Sequence, residues 1–396
     1  MTQTADILVS GGGVAGLTAA AAFGAAGFRV TVVDPQPPVT AADAPGADLR
    51  TTAILQPGRA LMQEAGLWDL LDGEAAPLSV MRIAEAGADG RLALMRDFRA
   101  DDLAQAAFGW NLPNWLLRQA LVARLAQLPE VDFRPGFGTR SLVARDREVR
   151  VLLTDGSTVA ARMLVAADGR DSPVRQALGI GVRTTRYGQT ALSFSVTHPV
   201  PHDGVSTEIH RDGGPFTLVP LPDRGGVPCS AVVWMDRAAE AARRLALPPA
   251  EFAAEATERS CHAFGPLALA GGRAAWPIVT QVATALTGPR TALVAEAAHV
   301  MPPIGAQGLN TSLADIACLL RLACADRDGL GDAAMLAAYA RRRHPEVIAR
   351  AAGVDALNRA SIAGGGAWRE VRGRVMAMMH DLAPVRRGLM RLGMGD

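Results

Sequence analysis

The chain has 396 residues, 49% hydrophobic and 20% charged, enough for two or three domains with a buried core and too apolar for global disorder. Forty basic residues face 39 acidic ones, and a net charge of +1 gives no footprint for a nucleic-acid partner. Every basic residue is Arg; with no Lys in the chain, Schiff-base chemistry and a phosphate-loop lysine are excluded.

The four cysteines (Cys229, Cys261, Cys318 and Cys324) form no C-x-x-C pair and fit no zinc spacing. The seven histidines make no paired motif on a helix, so no metal is expected. Free thiols suit a reducing compartment, and the expected location is the cytoplasm. Residues 7–28 carry no charge, long enough for a membrane window. Gly11, Gly12, Gly13 and Gly16 interrupt that run, and Asp6 stands where a signal peptide would be basic. The run therefore reads as strand, glycine-rich turn and buried helix.

In chain order, residues 5–10 form an apolar strand, 16–26 a small-residue helix stopped by Gly27, and 29–33 a second strand ending at Asp34. This βαβ unit implies a parallel sheet. Apolar residues at helical spacing predict a helix over 116–128. Segments 148–154 and 158–161 flank Asp155-Gly156 as a hairpin, and 163–167 is a further buried strand. Residues 190–198 alternate, with Leu192, Phe194 and Val196 on one face and Ser193, Ser195 and Thr197 on the other. Strands at 216–221 and 230–235 extend this into an antiparallel sheet with one polar face. A buried strand at 291–294 and a helix at 309–323 return to the first pattern, and the last hundred or so residues are mostly helical, broken at Gly364, Gly365 and Gly366.

Three places carry chemistry. Gly11-x-Gly13-x-x-Gly16 follows a strand and opens a helix, and Asp34 ends the next strand. Glycines let backbone approach a pyrophosphate at a helix N-terminus, and the acid suits a ribose hydroxyl, so a dinucleotide, NAD or FAD, is expected. Asp168-Gly169 closes a strand, and Ser172-Pro173 caps the helix that carries Arg175. The third place runs from Ala295-Glu296 through His299 and the loop Pro302-Pro303-Ile304-Gly305-Ala306-Gln307-Gly308-Leu309-Asn310 to Asp315. Free N–H groups at such a helix start suit a flavin carbonyl, and the helix dipole favours an anionic reduced flavin.

Together these segments resemble the three FAD fingerprints of the aromatic-ring flavin monooxygenases, and the third is similar to the ubiquinone-biosynthesis hydroxylases of the UbiH/UbiF type. Asp48-x-Arg50, the helix starting near Arg118, Tyr187-x-Gln189, Gly214-Pro215 leading to 218–221, Val233-Trp234 and Met394-Gly395 extend the likeness over nearly the whole chain. The resemblance implies an α/β fold. A Rossmann-like FAD domain of glutathione-reductase type (1–78, 109–182 and 286–342) carries an inserted antiparallel-sheet substrate domain (79–108 and 183–285) and a helical C-terminal segment (343–396). It implies FAD held by Gly11, Gly13, Val14, Ala15, Gly16, Asp34, Arg50, Arg118, Asp168, Gly169, Glu296, Gly305, Gln307, Gly308, Leu309 and Asn310. Pro302, Pro303, Gly305 and Gly308 would lie along the flavin, and Pro220 would form the opposite wall. The family's ribityl-binding Gly-Asp pair reads Ala295-Glu296 here, its Gly-Gln-Gly reads Ala306-Gln307-Gly308, and a later glycine is Ser312.

The implied reaction is hydroxylation of a polyprenyl phenol. Electrons come from NAD(P)H or a ferredoxin-type donor, and oxygen from O2 through a flavin C4a-hydroperoxide. No catalytic acid or base stands out, and His299 reads as a helix-start histidine held by backbone contacts. A hydroxylase of small phenols in aromatic catabolism is the rival; such sites use tyrosines, and only Tyr187 and Tyr339 exist here. The apolar strand face and the shortage of tyrosine favour a large apolar substrate. A flavin halogenase relies on a lysine. A flavin-bound non-catalytic member of a ubiquinone-biosynthesis complex is a further alternative. The basic, Met-rich segment 368–396 suits a peripheral contact with the inner face of the membrane or a partner enzyme.

Overall fold

The computed structural model describes residues 2–394 apart from 88, 212 and 363–379. Its first sheet is built on the strand Thr2–Ser10, flanked in parallel by Val30–Asp34 and Thr158–Ala166. Val131–Pro135 extends it on one side and Thr291–Leu293 on the other, both also parallel to their neighbours. Strands covered on both faces need no polar side, which is why these segments read as continuous apolar runs. The helix Val14–Ala25 is buried from Val14 to Gly24. Its alanines and glycines let it sit close between the sheet and the helices Asn114–Leu125 and Gln307–Ala325.

Residues 158–161 and 163–167, expected as a hairpin arm and a separate strand, form the single strand Thr158–Ala166. Its first half pairs antiparallel with Val149–Leu153, completing the expected hairpin, while its whole length pairs parallel with Thr2–Ser10. Arg162, the polar interruption, is accommodated because its guanidinium donates to the carbonyls of Arg327 and Asp328, each at 2.7 Å.

The second sheet has eight strands, in the order His299–Val300, Ala268–Ala283, Val182–Thr197, Val227–Arg237, Gly214–Arg224, Val205–Arg211, Val80–Ala86 and Leu92–Arg99. All pairs are antiparallel except Val80–Ala86 with Val205–Arg211. Alternation assigns its two faces as expected, but their uses are reversed. Leu192, Phe194 and Val196 are sealed with Trp234 against Phe252 and Ala256 of the helix Pro249–Arg259, so the apolar face is core and is absent from the cavity lining. The face carrying Ser193 is the one turned toward the first sheet and the cavity.

The helix Ala333–Ile362 runs 30 residues through Pro345. The helix Ala383–Met394 docks through Met390 and Met394 on Ala100 and Phe108, with Arg386 paired to Asp102 at 3.1 Å. Of the Met-rich basic segment, the part from Trp368 to Met379 lies outside the described residues, as does the Gly364 to Gly366 break. By length and composition, Gln307–Ala325 is the one described helix apolar enough to cross a membrane; Leu313, Ile316, Leu319 and Ala323 place it in the core.

Candidate active site

A cavity of about 470 Å³ lies between the two sheets. The first glycine turn forms one end. A Cβ on Gly11, whose φ is +116°, would meet the Ala167 carbonyl oxygen at 2.2 Å, and one on Gly16 would meet the Gly11 oxygen at 1.9 Å. These two glycines serve the close strand–turn–helix packing. Gly13 differs: nothing lies within 4 Å of its Cβ position, and with Val14 and Ala15 it lines the cavity. Here the backbone is bare toward the space a pyrophosphate would take at the start of a helix that no side chain caps. Asp34 accepts from the Gly12 N–H at 2.5 Å and the Gln36 N–H at 2.8 Å, so it braces the turn from outside the lining.

The Asp168-Gly169 turn sits beside this end. Asp168 accepts from the Val174 N–H at 3.1 Å through Oδ2, while its buried Oδ1 has no partner among the described residues. Burial lifts its pKa above the ordinary carboxylate range. Ser172 caps the short helix by accepting from the Arg175 N–H at 3.0 Å. Buried Arg175 then donates to the carbonyls of Ala297 and Arg170, tying this turn to the Ala295–Ala297 turn.

Arg50 and Arg118 converge on one carboxylate. Arg50 binds Asp48 through two hydrogen bonds of 2.7 and 2.6 Å, and Arg118 approaches it to 3.5 Å. Asn114 donates to the same carboxylate at 3.1 Å. Burial would raise the Asp48 pKa, but Arg50 outweighs it and the carboxyl is held low. Arg50 lies over the Trp276 ring, 5.4 Å from its centre, and senses Glu296, which also lines the cavity. The helix carrying Arg118 starts at Asn114, four residues before the expected arginine, with Pro113 as its N-cap residue.

The third segment wraps the cavity's other side. Two of its expected glycine positions, Ala295 and Ala306, have φ of 54° and 56°, the left-handed region that disfavours a side chain. Ala306 is the N-cap residue of Gln307–Ala325, and no side chain caps that helix, leaving its first N–H groups free. Pro302, Pro303, Gly305, Gln307, Gly308 and Leu309 line the cavity. Gln307 donates to the carbonyls of Gly305 at 2.7 Å and Gly393 at 2.9 Å, and accepts from Arg350. Asn310 is turned away; it accepts from the Leu55 N–H and donates to the carbonyls of Ala53 and Ala306.

His299 is held by a side chain, contrary to expectation. It is buried in a strand, and its Nε2 lies 2.7 Å from Asp315 Oδ2. Arg343 donates to the other Asp315 oxygen at 2.8 Å. The helix periodicity that carries Asp315 inward was legible, but its partner on Ala333–Ile362 was not.

Pro220 is also absent from the lining. In a strand alternate residues share a face, so Pro220 goes with buried Phe216 and Leu218, while Thr217 and Val219 face the cavity. Sequence reasoning missed Trp276 and Glu208, which line it as well.

FAD fits this arrangement. The bare Gly13 backbone, the unpartnered buried Asp168 Oδ1 and Arg118 Nε, and the uncapped start of Gln307–Ala325 are polar groups awaiting a polar, anionic, elongated ligand. The family model for an FAD binding domain matches residues 4–352. The ubiquinone hydroxylase UbiL of Rhodospirillum rubrum is 38% identical over 361 residues, covering 90% of this chain and 82% of that protein. The 3-demethoxyubiquinol 3-hydroxylase of Escherichia coli is 29% identical over 320 residues, covering 80% and 79%. The crystal structure of p-nitrophenol 4-monooxygenase PnpA from Pseudomonas putida superposes with a TM-score of 0.80 at 21% identity, covering 98% and 97% of the two chains. The chain therefore belongs to the FAD-binding-domain family of flavin-dependent aromatic-ring monooxygenases.

Proposed function

We propose that the protein hydroxylates the aromatic ring of a polyprenyl phenol in ubiquinone biosynthesis. The observation that carries this reading is the match to a ubiquinone hydroxylase over nearly the whole of both chains. The cavity supports it: Met81, Ile83, Val219, Val233 and Ile278 give a largely apolar lining across several strands of the second sheet, suited to a prenylated ring.

FAD, when bound, would take electrons from NAD(P)H or a ferredoxin-type donor and transfer one oxygen atom of O2 to the ring. The chain's own residues bind, orient and shield. Gly13, Val14 and Ala15 would face the pyrophosphate, with Arg118 nearby and Asp168 on the adjoining turn. Glu296 would hold ribityl hydroxyls. The N–H groups at the start of Gln307–Ala325 would meet the ring carbonyls, and Gln307, fixed by Arg350 and Gly393, would keep that loop in shape. Thr217 and Val219 would form the substrate-side wall in place of Pro220. Apolar lining limits water, whose entry would divert O2 to peroxide.

Peripheral membrane contact is part of the same reading. On the helix Ala383–Met394, Val385 and Leu392 are 41% and 69% exposed, and Leu382 just before it is 52% exposed. Arg387 and Arg391 are exposed on the same helix. An apolar, basic surface suits an anionic bilayer from which a prenylated substrate enters. Association with a ubiquinone-biosynthesis complex would serve the same transfer.

The test is the purified flavoprotein with a prenylated phenol, a reductant and labelled O2. One labelled oxygen atom in the ring product is expected. Flavin oxidation that yields peroxide alone with every prenylated phenol, but ring hydroxylation of a small phenol, would replace this reading with the catabolic one.

A further inference from the structure

The sheet that floors the cavity carries one carboxylate in a row of five lining residues whose other four side chains are uncharged. The backbone register places Ser193 opposite Val233, Val233 opposite Thr217, Thr217 opposite Glu208, and Glu208 opposite Ile83. All five residues line the cavity. They form one continuous row across five strands, and Glu208 lies inside it, between a hydroxyl and an apolar side chain.

Two residues along the same strand, and so on the same face, His210 holds this carboxylate. Its Nε2 lies 2.8 Å from Glu208 Oε1. The buried Nδ1 has no hydrogen-bond partner among the described residues. Glu208 Oε2 has no protein partner among the described residues. On the neighbouring strand Arg82 is bound to Asp97 by two hydrogen bonds of 2.7 Å, and Arg96, opposite Ile83 at the end of the row, donates to the Met95 carbonyl and lies 3.9 Å from Asp381. Glu85 lies opposite His210 in the same register and adds no positive charge. Glu208 thus keeps one oxygen oriented by His210 and the other available to whatever fills the cavity.

A phenol is attacked at its ring more readily as its hydroxyl proton departs, and a positioned carboxylate is suited to take that proton in the transition state. We propose that Glu208, oriented by His210, is the general base that accepts the substrate's phenolic proton. The assignment rests on the aromatic hydroxylation argued above, which supplies the oxygen atom and its electrons. In the added step the phenolic O–H bond breaks, its electron pair stays on that oxygen and flows into the ring as the new carbon–oxygen bond forms, and the proton bonds to Glu208. The proton returns to the same oxygen as the ring C–H proton is lost to water and aromaticity is restored. Glu208 is the catalytic residue and His210 a positioning residue.

The experiment compares the wild type, Glu208→Gln and Glu208→Asp, all FAD-loaded, on a farnesylated phenol and on its methyl ether. Flavin content, reduction by NAD(P)H, ring product and peroxide are measured separately. The expected result is unchanged flavin content and reduction in Glu208→Gln, product formation down about 100-fold, peroxide increased to match, and partial recovery in Glu208→Asp. The wild type should prefer the phenol to its ether, and Glu208→Gln should lose that preference. Product formation by Glu208→Gln within threefold of wild type, with unchanged coupling, overturns the assignment alone. No ring product from the wild type with any phenol overturns the functional reading and the assignment with it. If Glu208→Gln loses FAD, the FAD-loaded Glu208→Asp decides: wild-type product formation and coupling overturn the assignment, and reduced product with peroxide increased to match upholds it.

Discussion

His299 on the cavity wall and Asp315 on the helix behind it meet at 2.7 Å, both with almost no exposure to solvent. Burial by itself would raise the Asp315 pKa; His299 and Arg343 outweigh it and hold the carboxyl below its ordinary value. Removing one member of such a group leaves the others buried without their partner, which costs about 3–5 kcal/mol. Asp315→Asn should lower the urea midpoint of unfolding by a corresponding amount. Because the folded-state pKa is depressed, the stabilisation is present above the unfolded value of about 3.9 and is lost as pH falls through the folded value. The wild type should therefore lose stability below about pH 4 more steeply than Asp315→Asn, as followed by acid titration of far-ultraviolet circular dichroism.

The two kinds of glycine in the first turn separate folding from cofactor binding. A Cβ at Gly13 has no protein atom within 4 Å, so Gly13→Asp should fold with near-native thermal stability in the apo form, yet purify without yellow colour because it places a carboxylate at the turn expected to hold the pyrophosphate. Gly16→Ala places a Cβ 1.9 Å from the Gly11 oxygen and should lower stability of the apo protein itself. Melting curves and flavin absorbance distinguish these outcomes. A Gly13→Asp protein that retains full FAD would remove the turn from the binding site.

Ala295 adopts a left-handed backbone with φ of 54°. Such a conformation costs an L-residue about 1–2 kcal/mol, and glycine returns part of that gain through its freer unfolded chain. Ala295→Gly is expected to stabilise the apo protein by about 0.5–1 kcal/mol. Chemical denaturation of flavin-free protein measures this directly, and a destabilised variant would show that the Ala295 methyl contributes packing worth more than the strain.

Neither of the chain's two tyrosines should titrate normally. Burial, reinforced by the hydrogen bond to Asp355, pushes Tyr187 up to about 12. Tyr339 is buried, donates to the Leu293 carbonyl at 2.8 Å and is pushed well above the ordinary value by burial. In native protein the tyrosinate absorbance should stay flat through pH 10, whereas in denaturant both should ionise near 10. With folded values raised, the stability linked to these groups is intact below the unfolded pKa of about 10 and falls as pH rises toward 12.

Local physics was sufficient for the first sheet. The glycines at 11 and 16 are required by backbone contacts that follow from a strand–turn–helix, and the apolar strands 5–10, 29–33 and 291–294 admit few arrangements other than a doubly covered parallel sheet. Alternation in 190–198 correctly separated two faces of the second sheet. It could not say which face meets substrate, because that depends on where the helix Pro249–Arg259 lands, and Phe252 seals the Leu192 side. Pro220 was misplaced for a related reason: a one-residue change in strand phase turns a side chain to the opposite face. Glu208 and His210 stand two apart in a strand, a visible spacing, but the approach of Glu208 to Thr217 and Ile83 exists only through pairing with other strands. The joining of His299 to Asp315 and Arg343 likewise needs a strand and two helices brought together. Spacing within one element is written locally, whereas contacts between elements are set by how their buried faces pack.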